Sequence, residues 1–436
     1  MPPTLDMHGL DNAQSRTTSA PPTAQHIRCD FVDTGCLVEE LGLIDSHAWA
    51  PEGDGFADLS DLSDLTDSED ELPSGSVQTG TDSMQGLFKD KVELTKTRRS
   101  KNQRVRNQGR KRGRFDLHAS SDQHLEVDHS VEAHAQANAQ GSYVARSKVI
   151  SLKPASPTLV GMGSGGSVSV FDHARRLVVY RETVISSTST INECLLSAQQ
   201  RLRSSGKPAF VKAGDKASRG PFDQYFFSLH RGSTRTPRMS ASYKKNTDLA
   251  EELLQILEPV KRLVNATFRR KWPRLHQRYA AALDFIQQHV QGAKPLFGAF
   301  ASFAINMDGV ICDIHRDSQN FVTGICVVMP FGDFQPSAGA CLVIEELGLS
   351  FEVAPGVAIY FPSALYNHYN TQLSQMGVRG SLVLWTGGTL IQWVDCGGRA
   401  KCEMPAEDRA RYELSARDRL GEGLNLLYPD SLTVEY

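Results

Sequence analysis

The sequence predicts an α+β protein built on a double-stranded β-helix (jelly-roll) core, buttressed by helices and preceded by a long disordered N-terminal region. Three observations carry this expectation. Residues 297–394 break into short apolar runs separated by turn residues, with no alternation of strand and helix. Two longer stretches just before them place apolar residues at helical spacing. Residues 1–150 are rich in Ser, Asp, Gln and Gly and have few aliphatic clusters, too little apolar surface to offset the entropy of ordering.

Within that N-terminal region, a formal net charge of -3 for the whole chain conceals two opposed blocks. Residues 58–71 carry seven acidic side chains and no basic one, in a short Asp-Leu-Ser repeat, and read either as a solvated tail or as a recruiting segment. Residues 96–114 carry ten Lys or Arg and no acid, a run suited to nuclear import, to counterion-releasing contact with phosphates, or to both. A nuclear location is therefore expected. No run of eighteen apolar residues occurs, and Met1-Pro2-Pro3-Thr4 lacks the basic-then-apolar layout of a secretory signal, so no membrane partner is expected. The eight cysteines are scattered without any Cys-x-x-Cys, which argues against a zinc module or a disulfide framework.

A folded domain is expected over 158–398. It opens with a hairpin, 168–171 and 177–180, turning through Asp172-His173-Ala174-Arg175-Arg176. The preceding Gly161-Met162-Gly163-Ser164-Gly165-Gly166 lacks the Gly-Lys-Ser/Thr ending and following helix of a phosphate loop and reads as a linker. A short helix over 192–202 would turn Cys194, Leu195, Ala198 and Leu202 to one side. Leu249, Leu253, Ile256, Leu257, Val260, Leu263 and Val264 then mark a long helix, capped by Asp248 and bent at Pro259. After the break at Trp272-Pro273, Leu275, Tyr279, Ala282, Leu283, Ile286 and Val290 mark a second one. Both read as scaffold, with His276 and His289 as surface or satisfied histidines. Strands are expected at 300–307, 321–329, 339–345, 349–353, 356–361, 365–370, 379–386 and 389–394, and a C-terminal helical tail at 399–436, with one exposed helix and no evident chemistry.

The residues that carry chemistry are His315-Arg316-Asp317, His368 and Arg379-Gly380-Ser381. Two histidines and a carboxylate make a three-ligand face for non-haem ferrous iron, with the opposite positions open to a cosubstrate and dioxygen. Downstream, Arg379 offers a fork for a terminal carboxylate, and Ser381, two places on along a strand, faces the same side and adds a hydroxyl. The pattern reads as iron and 2-oxoglutarate chemistry. His-x-acid triplets are common by chance: His124-Leu125-Glu126 has the same local composition, but lies in a polar stretch without strand pattern. An arginine opening the apolar strand Leu382-Val383-Leu384-Trp385 needs a partner, which is either a cosubstrate carboxylate or Asp395. Alternation along the strand of His368 would put Tyr366 and Asn370 on its face as substrate contacts. Asn320 would give a bidentate amide contact to a planar ring edge or cap the turn after the metal triplet.

Taken with Phe300-Ala301-Ser302-Phe303-Ala304-Ile305-Asn306, Gly324-Ile325-Cys326, Pro355-Gly356, Pro362-Ser363-Ala364, His368-Tyr369-Asn370 and Gly387-Gly388-Thr389-Leu390-Ile391-Gln392-Trp393-Val394, these residues resemble the fungal branch of the TET/JBP oxygenases. The resemblance spans roughly residues 160–398. It implies a double-stranded β-helix dioxygenase that uses ferrous iron, 2-oxoglutarate and dioxygen to oxidise the methyl group of 5-methylcytosine or another 5-methylpyrimidine in DNA. It further implies His315, Asp317 and His368 as iron ligands, Arg379 and Ser381 as 2-oxoglutarate ligands, Asn320 at a base-contacting position, and chromatin- or transposon-associated partners. Where that family has Gly-Gly before the strand leading to the second histidine, this chain has Gly339-Ala340. The motif leaves two alternatives: the same oxygenase acting on a protein side chain or RNA base, and a non-catalytic nuclear DNA-binding relative.

Overall fold

A computed structural model describes residues 122–146, 156–162, 166–212, 220–307, 309–373 and 378–429. The acidic and basic blocks, and with them most of the region expected to be disordered, lie outside the described residues. Two sheets form the core. The larger runs in the order Gln123–Glu126, Val168–Phe171, Leu177–Arg181, Ile359–Phe361, Cys326–Asp333, Val378–Trp385, Ser302–Met307, Asp223–His230 and Arg238–Met239. The smaller runs His368–Asn370, Leu342–Ile344, Leu349–Phe351 and Thr158–Val160. Following the chain, Cys326–Asp333 lies in the larger sheet, the next two strands in the smaller, Ile359–Phe361 in the larger, His368–Asn370 in the smaller and Val378–Trp385 in the larger again. This switching of antiparallel strands between two facing sheets is the double-stranded β-helix the sequence predicts.

The alternation of side chains along each strand divides the interior from the buttress. In Ile359–Phe361, Tyr360 faces outward to Trp272, with ring centroids 6.0 Å apart, whereas Phe361 faces inward and meets the His368 ring edge-on at 4.9 Å. The buttress is helical. Glu258–Lys271 and Pro273–His289 bury Phe268 and Tyr279 against Phe300, with Trp272 between the helices against Phe268, and the Phe268 and Phe300 rings stack at 5.0 Å. The Trp272 indole N–H donates to the Leu177 carbonyl at 2.9 Å, so the residue that breaks the helices also ties them to the hairpin. As expected, His276 packs against Phe268, and His289 is satisfied by the Phe285 carbonyl.

Several expectations are corrected. Residues 389–394 are not a strand but part of the helix Gly388–Asp395. The neighbouring strand begins at Ser302, opposite Trp385, so pairing partners run out there and the apolar run folds on itself instead. The first long helix is not bent at Pro259 but broken, into Thr247–Ile256 and Glu258–Lys271, with Pro259 in the first turn of the second piece, where its missing N–H costs nothing. Asp248 lies in the first turn rather than at the cap, which is Asn246. The helix expected at 192–202 runs Thr188–Ser204 and leaves Cys194 only half-buried.

Order also begins earlier than residue 158. Gln123–Glu126 pairs in parallel with Val168–Phe171, so the His124 triplet is on a strand after all, and Val131–Asn138 is a helix capped by the Ser130 side chain. Too few apolar residues are present for this segment to have a core of its own. Val131, Ala135, Tyr143 and Ala145 are instead buried against the main core, a tertiary contact that composition cannot reveal. The C-terminal tail is likewise two helices, of which Ala416–Asn425 docks through Leu420 and Leu424 while Ala406–Leu414 has no buried residue. Among the described residues no helix is long and apolar enough to cross a membrane.

The departure at Gly339-Ala340 leaves a visible trace. Gly339 has φ 113°, and Ala340 has φ 56°, in the left-handed region that disfavours a Cβ. We predict that Ala340→Gly raises stability by about 1 kcal/mol, the scale of that steric penalty. Chemical denaturation of the purified protein checks this, and an unchanged or lowered midpoint would show that Ala340 is not strained.

Candidate metal centre

Two backbone hydrogen bonds bring the candidate metal ligands together. His315 and His368 form an antiparallel bridge, with His315 N donating to His368 O at 3.1 Å and His368 N to His315 O at 2.8 Å. Residues directly opposite in such a pair project to the same side. Their rings accordingly stand with centroids 4.2 Å apart, and Asp317, two residues on from His315, joins them. Asp317 Oδ1 is 3.8 Å from His315 Nε2, and Oδ2 is 3.9 Å from His368 Nε2. One donor atom from each of the three residues lies within 4.8 Å of the others, and all three are buried.

Each donor is aimed by a neighbour. His315 Nδ1 lies 2.7 Å from the Asp313 carbonyl, and His368 Nδ1 lies 3.0 Å from the Tyr366 carbonyl. A carbonyl can only accept, so both rings carry the proton on Nδ1 and present the Nε2 lone pair to the shared space. Asp317 N donates to Ser363 O at 3.0 Å, and the Asn320 amide donates to Asp317 Oδ2 at 3.4 Å and to Ser363 Oγ at 3.1 Å. Two neutral imidazoles and one carboxylate, with ring tautomers fixed and donors converging, fit a divalent iron that keeps other positions open.

Arg379 and Ser381 occupy the strand Val378–Trp385 as the sequence predicts, and both are buried. Ser381 Oγ accepts from the Asn306 amide at 3.1 Å, and Asn306 Oδ1 in turn accepts from Gln224 at 2.9 Å. The Arg379 guanidinium donates through Nη1 to the Val310 carbonyl at 2.6 Å, whereas its Nε is buried without a partner. Asp395 is not its partner: that carboxylate is taken by the Tyr143 hydroxyl, at 2.5 Å, and by Arg278. Among the described residues, the nearby groups able to carry negative charge are the thiols of Cys312 and Cys341, and burial lowers the guanidinium to about 10, which still leaves it cationic at neutral pH. An interior cation with a free donor fits an anionic ligand such as the distal carboxylate of 2-oxoglutarate.

The proposed substrate contacts fare unevenly. Asn370 is buried on the face of His368, with its side-chain Nδ2 lacking a partner. Asn320 lies at the site, but its amide is directed at Asp317 and Ser363, so it serves the metal ligand first. Tyr366 is not brought to the site. The turn begun at Pro362 ends strand alternation before His368, and the Tyr366 ring packs instead on His134 and His129, with centroids 5.4 and 5.5 Å away. Sequence reasoning gave no role to Asn306 and Ser363, although both lie in the motif runs, and missed Asp313, which acts through a backbone carbonyl and leaves no motif. It also missed Glu346 and Asn138. Among the described residues no second His/Cys/Asp/Glu cluster of metal-binding geometry occurs, and the His124 triplet belongs to none.

No protein-family model and no curated protein sequence matches the chain. Among solved structures it is similar to NgTET1 in complex with 5mC DNA, at 15% identity and TM-score 0.37, covering 53% of this chain and 82% of that one. It is also similar to a Burkholderia pseudomallei oxidoreductase of the 2OG-Fe(II) oxygenase family (18% identity, TM-score 0.27, covering 44% and 78%) and to a Pseudomonas putida prolyl-4-hydroxylase (10%, 0.26, covering 49% and 94%). Likeness at this level carries no argument about the chemistry of this chain.

Arg379, bonded to the Val310 carbonyl but ion-paired with no described carboxylate, makes a test possible without any ligand. Breaking a buried ion pair typically costs about 3–5 kcal/mol, whereas removing an unpaired buried cation should be neutral or stabilising. Denaturation of ligand-free Arg379→Met should therefore show unchanged or raised stability, and a loss of several kcal/mol would reveal a structural partner.

Proposed function

We propose that this chain is an Fe(II) and 2-oxoglutarate dependent dioxygenase that oxidises the methyl group of 5-methylcytosine, or of another 5-methylpyrimidine, in DNA. The observation that carries the reaction class is the combination of a converging His315, Asp317 and His368 with a buried, incompletely partnered Arg379 in one jelly-roll core. Iron held by His315, Asp317 and His368 would supply C–H oxidation by dioxygen coupled to the conversion of 2-oxoglutarate to succinate and carbon dioxide. The protein's own part is binding and orientation. Arg379 holds the distal carboxylate through its planar fork, Ser381 adds a hydroxyl whose position Asn306 fixes, and the Nδ1 bonds keep both imidazoles in the ligating tautomer. Phe361 walls the His368 side of the site with apolar surface.

A DNA substrate is supported by the resemblance of the motif residues to the TET/JBP oxygenases and by the ten positive charges of residues 96–114, which suit sequence-independent contact with phosphates in a nucleus. A duplex base would have to be flipped to reach a buried iron. Chromatin- or transposon-associated partners belong to the same reading. One observation favours a second reading, in which the same oxygenase acts on a protein side chain or RNA base: the Asn320 amide is directed at Asp317 rather than toward a ligand.

Incubation with methylated and unmethylated duplexes, followed by nucleoside mass spectrometry and succinate assay, separates the two. We expect hydroxymethylated nucleoside and extra succinate with methylated DNA alone, both lost in Asp317→Ala. Succinate formation indifferent to methylated DNA, without any modified nucleoside, would reject the DNA substrate and keep the oxygenase.

A further inference from the structure

Arg316 stands between two metal ligands and is itself buried, 3% exposed. A fixed cation beside a cation site repels the incoming metal and costs desolvation, so its presence there needs a compensating role. Its hydrogen bonds indicate one. Nη2 donates to Glu346 Oε1 at 3.4 Å, and Nη1 donates to Asn138 Oδ1 at 2.9 Å. Glu346, half-buried, accepts the backbone N–H of Asn367 with both oxygens, at 2.8 and 3.1 Å, and Asn367 is the residue immediately before His368. Asn138–Arg316–Glu346–Asn367 is thus a continuous chain from the N-terminal helix, through the residue between His315 and Asp317, to the residue preceding His368.

The same helix and its following turn grip both ligand segments at further points. His134 Nε2 lies 2.8 Å from the Leu365 carbonyl, which precedes the Tyr366 carbonyl that orients His368. Ala145 N donates to Ser318 O at 2.9 Å, one residue after Asp317. The Asn138 amide nitrogen donates to His134 O at 2.9 Å and so fixes the carboxamide with its oxygen toward Arg316. Among the described residues, one segment lying outside the double-stranded β-helix therefore contacts the first and second ligand segments together.

We propose that Asn138, Arg316 and Glu346 form a positioning clamp that holds the His315/Asp317 segment and the His368 segment at metal-binding separation, making the helix Val131–Asn138 part of the metal centre. The clamp rests on the reading of His315, Asp317 and His368 as metal ligands. Glu346 accepts from Arg316 and from the Asn367 backbone at once, so the pair contributes geometry rather than a metal ligand. Asn138 is half-buried, near the end of its helix, and is the link that can be altered with least disturbance to the core.

The test uses full-length protein and Co(II) as a spectroscopic probe, with thermal unfolding of the metal-free form measured alongside. Asn138→Leu removes the acceptor, Asn138→Asp retains it, and Glu346→Gln keeps the shape while removing the charge. Outer partners of metal ligands are typically worth about 10–100-fold in affinity. Asn138→Leu and Glu346→Gln should therefore weaken Co(II) binding by about tenfold or more and shift the ligand-field bands. Asn138→Asp, which keeps the acceptor toward Arg316 but loses the donor to His134 O, should recover most of the affinity and band position, and the metal-free melting temperature of Asn138→Leu should stay near that of the unaltered protein. Unchanged Co(II) affinity and bands in Asn138→Leu and Glu346→Gln, with or without a lowered metal-free melting temperature, would overturn the clamp while leaving the metal centre standing. Failure of the unaltered protein to bind Co(II) at all would instead overturn the metal centre, and the clamp with it.

Discussion

Everything at the site depends on the paired backbone bonds between His315 and His368. Neither imidazole is placed by its own rotamer alone: the bridge puts both residues opposite each other, and the pleat then sends both side chains and that of Asp317 to one side. The two segments come from different parts of the chain, one a loop outside the named strands and the other the end strand of the smaller sheet. A jelly roll is suited to this because its strand ends converge at one mouth, where side chains can be grouped without disturbing the packed interior. Here the interior is closed off by the Phe268, Trp272, Tyr279 and Phe300 cluster behind the larger sheet, so the mouth is free to be polar.

Electrostatics divides the mouth into two regions. Asp317 offsets an incoming divalent cation, with Arg316 held away by Glu346. Deeper along the strand Val378–Trp385, Arg379 supplies an isolated positive charge, which no described carboxylate neutralises. A dianionic 2-oxoacid would offer a ligating end to the first region and a distal carboxylate to the second. The arrangement also explains why both ends are buried: interactions between charges strengthen as water is excluded.

Most of the core and the candidate metal ligands were legible in the sequence because each has local grammar. Period-two runs bounded by Pro and Gly marked the strands, helical stripes marked the buttress, and His315, Asp317, His368, Arg379 and Ser381 fall at a spacing that chemistry restricts. What could not be read depends on distant partners. Residues 389–394 fit both periods, and only the absence of a pairing neighbour beyond Ser302 makes them a helix. Tyr366 looked aligned with His368 until the turn at Pro362 broke the alternation. Asp395 was a plausible partner for Arg379 on sequence alone, but Tyr143 and Arg278 hold it. Residues 122–146 looked too polar to fold because their burial is supplied entirely by the rest of the molecule.

The central claim is that one chain binds a metal through His315, Asp317 and His368 and a 2-oxoacid through Arg379, adjacent to each other. Anaerobic titration of the protein with Fe(II) and then 2-oxoglutarate, followed by absorption, tests it most directly, since chelation of ferrous iron by a 2-oxoacid produces a charge-transfer band that neither ligand gives alone. The account predicts one such complex per chain, absent in His368→Ala and requiring more 2-oxoglutarate in Arg379→Lys. Saturating Fe(II) and 2-oxoglutarate without a band, or a band unaffected by both substitutions, would contradict it.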